Sequence, residues 1–125
     1  MQLLLDTHVL LWSLAGDERL GDRAVEVIED GRNVVHVSAA SIWEISIKRS
    51  LGKLRVPDDV LSQVDAASFT RLPISLEHAE AVAALPVLHA DPFDRMLVAQ
   101  AGADRLVLMT HDPMVLQYAV DTFEV

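Results

Sequence analysis

The chain contains no cysteine, which excludes disulfides, thiolate metal ligands, iron–sulfur clusters and cysteine nucleophiles. Any metal must therefore sit on oxygen or imidazole. Long apolar runs are also missing: stretches such as Val9 to Trp12 and Leu106 to Met109 fall far short of the ~20 residues that span a bilayer. Leu3-Leu4-Leu5 has neither a basic region before it nor a small-residue cleavage site after it, so no export signal is expected and the cytoplasm is the default location. No repeat, linker or low-complexity segment interrupts the chain. Basic residues are scarce, ten Lys and Arg against nineteen Asp and Glu, for a net charge of −9. That balance is unfavourable for contact with a polyphosphate backbone unless several acids gather around a bound cation, which reverses the local field.

What is present fits a single domain over residues 1–125, with 51% hydrophobic residues and a core that removes roughly two-thirds of the unfolded surface from water. The apolar surplus leads us to expect further burial, in a homodimer that also offers a groove to a partner. Gln2 to Leu5 reads as a buried strand running directly into a helix from Thr7 to Ala15, ended by Gly16. Gly21 to Gly31 is amphipathic, Val34 to Val37 is a second strand, and Ser38 caps a helix reaching about Leu51. A loop over 53–57 leads to a short helix from Asp58 to Ala67 and a third strand from Arg71 to Ile74. Ser75 caps a helix to about Leu85. Asp91-Pro92 opens another reaching Ala103, Leu106 to Met109 is strand four, Asp112 to Ala119 a last helix, and the end of the chain an edge strand. Strands alternating with helices specify an α/β domain with a mainly parallel sheet of four or five strands. The apolar stretches around Trp12, Trp43 and Phe93 are expected in its core.

In such sheets ligands bind beyond the carboxyl ends of the strands, where Asp6, Ser38 and Thr110-His111-Asp112 fall. Four acids deserve comparison. Asp6 caps the first helix or faces a site; Glu44 pairs with Lys48 at the surface or turns inward. Asp94 is a first-turn acid favoured by the helix dipole or a ligand, and Asp112 precedes Pro113 as a cap or a ligand. Asp91 is assigned to capping, and His8 and His111 to supporting or surface roles. Three of the acids begin helices at one edge of one sheet, and carboxylates forced together repel unless a hard divalent cation, magnesium or manganese, joins them. Motifs for dinucleotide binding, P-loop hydrolysis, acyl transfer and zinc proteolysis are all absent.

Leu5-Asp6-Thr7-His8, Ser41-Ile42-Trp43-Glu44-Ile45, Asp94-Arg95-Met96-Leu97-Val98-Ala99-Gln100-Ala101 and Leu108-Met109-Thr110-His111-Asp112 resemble, in order and spacing, the successive motifs of PIN domains of the VapC toxin type. The run His89-Ala90-Asp91-Pro92-Phe93-Asp94-Arg95 is similar to a bacterial subgroup. The resemblance implies a three-layer α/β/α fold, a divalent-metal-dependent endoribonuclease, dimerisation, and an antitoxin that blocks the site. It implies Asp6 and Asp94 as main metal ligands, Glu44 and Asp112 completing or orienting the shell, and Thr110 as the hydroxyl beside them. Lys48, Arg49, Lys53 and Arg55 are candidates for holding flanking RNA phosphates, or a solvated helix end. Two rivals stand beside this reading. One is a catalytically weak protein- or RNA-binding module on the same fold. The other is a phosphatase with Asp6 as nucleophile, opposed by His8 standing where the haloacid-dehalogenase-like pattern has a second Asp.

Overall fold

The computed structural model describes residues 1–125. Its elements are β1 (Gln2–Leu5), α1 (Thr7–Ala15), α2 (Asp22–Glu29), β2 (Val34–Ser38), α3 (Ala39–Ser50), α4 (Val60–Ala66), β3 (Thr70–Leu72), α5 (Leu76–Ala81), α6 (Pro92–Asp104), β4 (Val107–Thr110) and β5 (Thr122–Glu124). The five strands form one sheet in the order β3-β2-β1-β4-β5, and every neighbouring pair is parallel. Strand order reverses between β1 and β4, so the carboxyl ends of these two strands mark the crevice where such sheets bind ligands.

Alternation along β1 divides the interior into two cores. Leu3 and Leu5 face one side with Val9, Leu10, Ala24, Ile28 and Val64. Leu4 faces the other with Leu97, Val98, Ala101 and Leu108. Helices α1, α2 and α4 thus cover one face and α6 the other, while α3 contributes Ile45 to the first core and Ala40 to the second. The result is the expected three-layer α/β/α arrangement, with an entirely parallel sheet. No helix is long and apolar enough to cross a membrane.

Three local expectations need correction. Asp112 to Ala119 is not a helix but a single 3-10 turn at Val115–Gln117. Tyr118 is already extended (φ −76°, ψ 150°), and the short remaining segment must turn to place β5 beside β4. Strand β3 ends at Leu72, where Pro73 has no N–H to continue a ladder. Trp43 is 58% exposed rather than in the core: α3 buries Ala40, Ser41, Glu44 and Ile45, which turns the neighbouring Trp43 outward against the edge of the Phe93 ring, 5.1 Å between centroids.

Candidate active site

Asp6 follows β1 directly and is 5% exposed. Its backbone N–H extends the ladder to the Met109 carbonyl (3.0 Å), and its Oδ1 accepts the Val9 N–H (2.8 Å). The capping reading of Asp6 is therefore correct, and it accounts for only one carboxylate oxygen. At the end of β4, the Thr110 hydroxyl accepts the Asp112 N–H (3.1 Å), which leaves its own proton for Asp6. Burial holds the Asp6 carboxyl above its ordinary 3.8; Thr110, the Val9 amide and His8 oppose the rise, and Asp112 adds to it. Asp112 also caps the following turn, accepting the Met114 N–H at 2.9 Å.

Glu44 projects inward from α3 and is 4% exposed, so the surface-pair reading fails even though the pair exists. Lys48 donates to Oε2, Thr7 donates to Oε1 at 2.7 Å, and Ser41 Oγ lies 3.1 Å from the Thr7 hydroxyl. The Lys48 ammonium is held above its ordinary value, chiefly by its hydrogen bond to Glu44.

Asp94 stands in the first turn of α6. Asp91 caps that helix as expected, its Oδ1 accepting the N–H groups of Phe93 (2.9 Å) and Asp94 (3.0 Å). Pro92 at the first helical position lacks the N–H that would go unpaired there. Unlike Glu44, Asp94 meets no Lys or Arg; its nearest basic atom is His89 Nε2 at 3.5 Å. Burial, followed by the charges of Asp91 and Glu44, pushes its pKa to about 7; Asp112 adds a smaller push, and His89 opposes the rise.

Glu44 on α3 and Asp112 beyond β4 both raise Asp94 on α6, and Asp112 also raises Asp6 beyond β1, so the four acids are linked electrostatically through Asp112. No three acidic or imidazole side chains stand close enough to enclose an ion by themselves. The donor chemistry fits magnesium, which keeps several waters and takes one or two carboxylates directly, better than an ion that requires a full protein cage. The partly buried Asp94 carboxyl, near other acids and without a Lys or Arg contact, is the observation that favours a cation here. Ser38 belongs instead to the framework: it caps α3 through the Ala40 N–H (3.0 Å) and donates to the fully buried Gln100. The largest cavity, about 790 Å³ and lined by residues including Ser13, Ile28, Asn33, Val34 and Thr70, lies at the amino ends of β2 and β3, away from the acids.

A PIN domain family model matches residues 3–121. The chain belongs to the PIN domain family. Its fold is similar to that of several solved structures at low sequence identity. VapBC2 from Rickettsia felis, bound to a promoter DNA fragment, shares 14% identity with a TM-score of 0.74 over 99% of this chain and 98% of that one. A toxin-antitoxin complex from Klebsiella pneumoniae shares 19% identity, TM-score 0.66, over 98% and 99% of the two chains. FitAcB from Neisseria gonorrhoeae shares 22%, TM-score 0.63, over 99% and 97%. No curated protein matches the chain. Within this PIN domain, sequence reasoning overlooked Thr7, which holds Glu44, and His89, which faces Asp94. A hydroxyl directly after Asp6 and a histidine five residues before Asp94 were the available signals, and neither has a partner legible from spacing.

Proposed function

We propose that this PIN domain is a magnesium- or manganese-dependent endoribonuclease, acting in the cytoplasm as the toxin of a toxin-antitoxin pair. The observation that carries the reading is Asp94, a partly buried carboxyl within reach of the charges of Asp91 and Glu44 and with no Lys or Arg in contact with it. Asp6 and Asp94 would be the main ligands of the ion, with Glu44 and Asp112 completing or orienting their surroundings through water. When bound, the ion supplies an activated water and neutralises charge developing on the phosphodiester. The chain itself contributes orientation: the Val9 amide and Thr110 hold Asp6, and Thr7 and Lys48 hold Glu44. Lys48 and Arg49 are committed internally, Arg49 donating to the Pro57 carbonyl at 3.0 Å. Lys53 and Arg55 are left as the cations expected at flanking RNA phosphates.

The decisive assay is cleavage of single-stranded RNA by purified protein, titrated with magnesium, alongside Asp6→Asn and Asp94→Asn. Metal-dependent cleavage lost in both variants supports the reading. The competing binding module draws on the absence of a closed ligand set, and RNA binding without metal-dependent cleavage would favour it.

An antitoxin partner is supported by the architecture shared with toxin-antitoxin complexes and by the net charge of −9, which suits a basic segment. We propose that an Arg or Lys of that segment reaches Asp6, Glu44, Asp94 and Asp112 and competes with the cation, so excess magnesium should weaken inhibition. The exposed Trp43, beside an apolar groove of about 560 Å³ that also includes Ile42, Leu61 and Leu72, supports burial against another chain. Light scattering at micromolar concentration tests the homodimer, and a monomer would refute it.

A further inference from the structure

The loop between α5 and α6 brings His89 against both Asp94 and Tyr118, and the three groups share a chain of contacts. His89 Nδ1 lies 2.7 Å from the Tyr118 hydroxyl, and the other ring nitrogen, Nε2, lies 3.5 Å from Asp94 Oδ2. Arg95 donates through one guanidinium nitrogen to the Tyr118 hydroxyl (3.1 Å) and to the Pro86 carbonyl (2.8 Å), tying the loop that carries His89 to the start of α6. Tyr118 is 4% exposed, and the His89 side chain 11%.

These contacts decide where the imidazole proton lies. Arginine only donates, so the Tyr118 oxygen accepts from Arg95, and its own proton needs an acceptor in a place closed to water. His89 Nδ1 is that acceptor. In the neutral ring the proton then belongs on Nε2, the nitrogen facing the carboxylate. The opposite tautomer strands the tyrosine proton, and once Asp94 is ionised it also sets the Nε2 lone pair against the carboxylate oxygens. Nε2 is buried without a hydrogen-bond partner, yet its distance to Asp94 is only a few tenths of an ångström beyond an ordinary N–H···O bond. Donation from Nε2–H to Oδ2 requires that this gap close.

We propose that His89 is a positioning residue for Asp94: Tyr118, itself fixed by Arg95, holds the imidazole in the Nε2–H tautomer. The N–H steadies Oδ2 and leaves Oδ1 for the reaction. The catalytic half of this statement rests on the nuclease reading; the tautomer does not.

The test has two arms. In the full-length protein at neutral to mildly basic pH, long-range proton–nitrogen NMR of the imidazoles should show His89 as the Nε2–H tautomer in wild type and a loss of that preference in Tyr118→Phe. An Nδ1–H tautomer in wild type, or a preference untouched by Tyr118→Phe, overturns the proposal. In magnesium-dependent RNA cleavage, His89→Leu and Tyr118→Phe should lower kcat by about 10- to 100-fold with little change in KM for RNA. His89→Gln, which restores an N–H at similar reach, should recover most of the rate. If His89→Leu does not fold, Tyr118→Phe with a wild-type melting temperature decides. Equal rates in Tyr118→Phe and wild type overturn the positioning role. An inactive wild type with the expected NMR result would instead overturn the nuclease reading and leave the tautomer assignment standing.

Discussion

Glu44 is buried, Asp94 is partly buried, and the two lie within electrostatic reach of each other, yet their surroundings are opposite. Glu44 has a hydroxyl on one oxygen and an ammonium on the other. Asp94 has a capping carboxylate, Asp91, beside it and an imidazole just outside hydrogen-bonding distance. Glu44 is neutralised by the fold, whereas Asp94 is left for something the fold does not supply. Burial alone therefore does not single out a candidate site acid; burial with unmet charge does.

The largest effect should separate the two acids by the sign of their stability changes. Asp94→Asn should reduce RNA cleavage by more than about 100-fold, beyond the usual cost of losing an outer-shell partner, and raise the melting temperature of the metal-free protein. A domain of this size gains about 4 °C per kcal/mol. Glu44→Gln should also lose activity, but should melt lower than wild type because Lys48 and Thr7 lose a charged partner. Melting shifts of the same sign in both variants would dissolve the distinction.

The next effect is on pH dependence. The folded protein holds a proton on Asp94 to about pH 7, against an ordinary value of 3.8. This group's contribution is fully present below the unfolded value and is lost as pH rises through the folded one. Without metal, stability should thus fall between about pH 4 and about pH 7. Asp94→Asn should flatten most of the slope, with a remainder from Asp6, whose pKa is also raised; magnesium should flatten it in wild type. Thermal melts across this range, with and without magnesium, test the sign.

Smaller still is Lys48→Met, which leaves Glu44 buried with only Thr7. Because the Lys48 side chain is 39% exposed, the loss should be on the order of 1–2 kcal/mol, well below that of a fully buried pair, and is measurable by urea denaturation. Thr7→Val, which removes one hydrogen bond to the Glu44 carboxylate, should cost about 1.5 kcal/mol. An unchanged denaturation midpoint would mean that the Thr7 bond contributes nothing to holding Glu44.

Much of this organisation is legible along the chain because it is local. Period-two and helical apolar patterns predict most of the strands and helices, Pro92 after Asp91 predicts the entry to α6, and Ser38 and Ser75 predict their caps. The failures occur where distant contacts override propensity. Asp112 to Ala119 has helical composition, but Tyr118 is extended and its hydroxyl meets His89 and Arg95. Trp43 reads as core until the inward turn of Glu44 assigns the other face of α3 to solvent.

The sequence by itself determined the alternating α/β order, the parallel sheet and the four candidate acids, because each depends on residue type and short-range spacing. Only the tertiary structure decided that β1 and β4 are neighbours at the reversal of strand order, which brings Asp6 to Thr110. It alone decided that Glu44 is satisfied while Asp94 is not. Charge compensation depends on distances between residues far apart in the chain, such as Thr7 and Glu44 or His89 and Tyr118, and no local pattern encodes those distances.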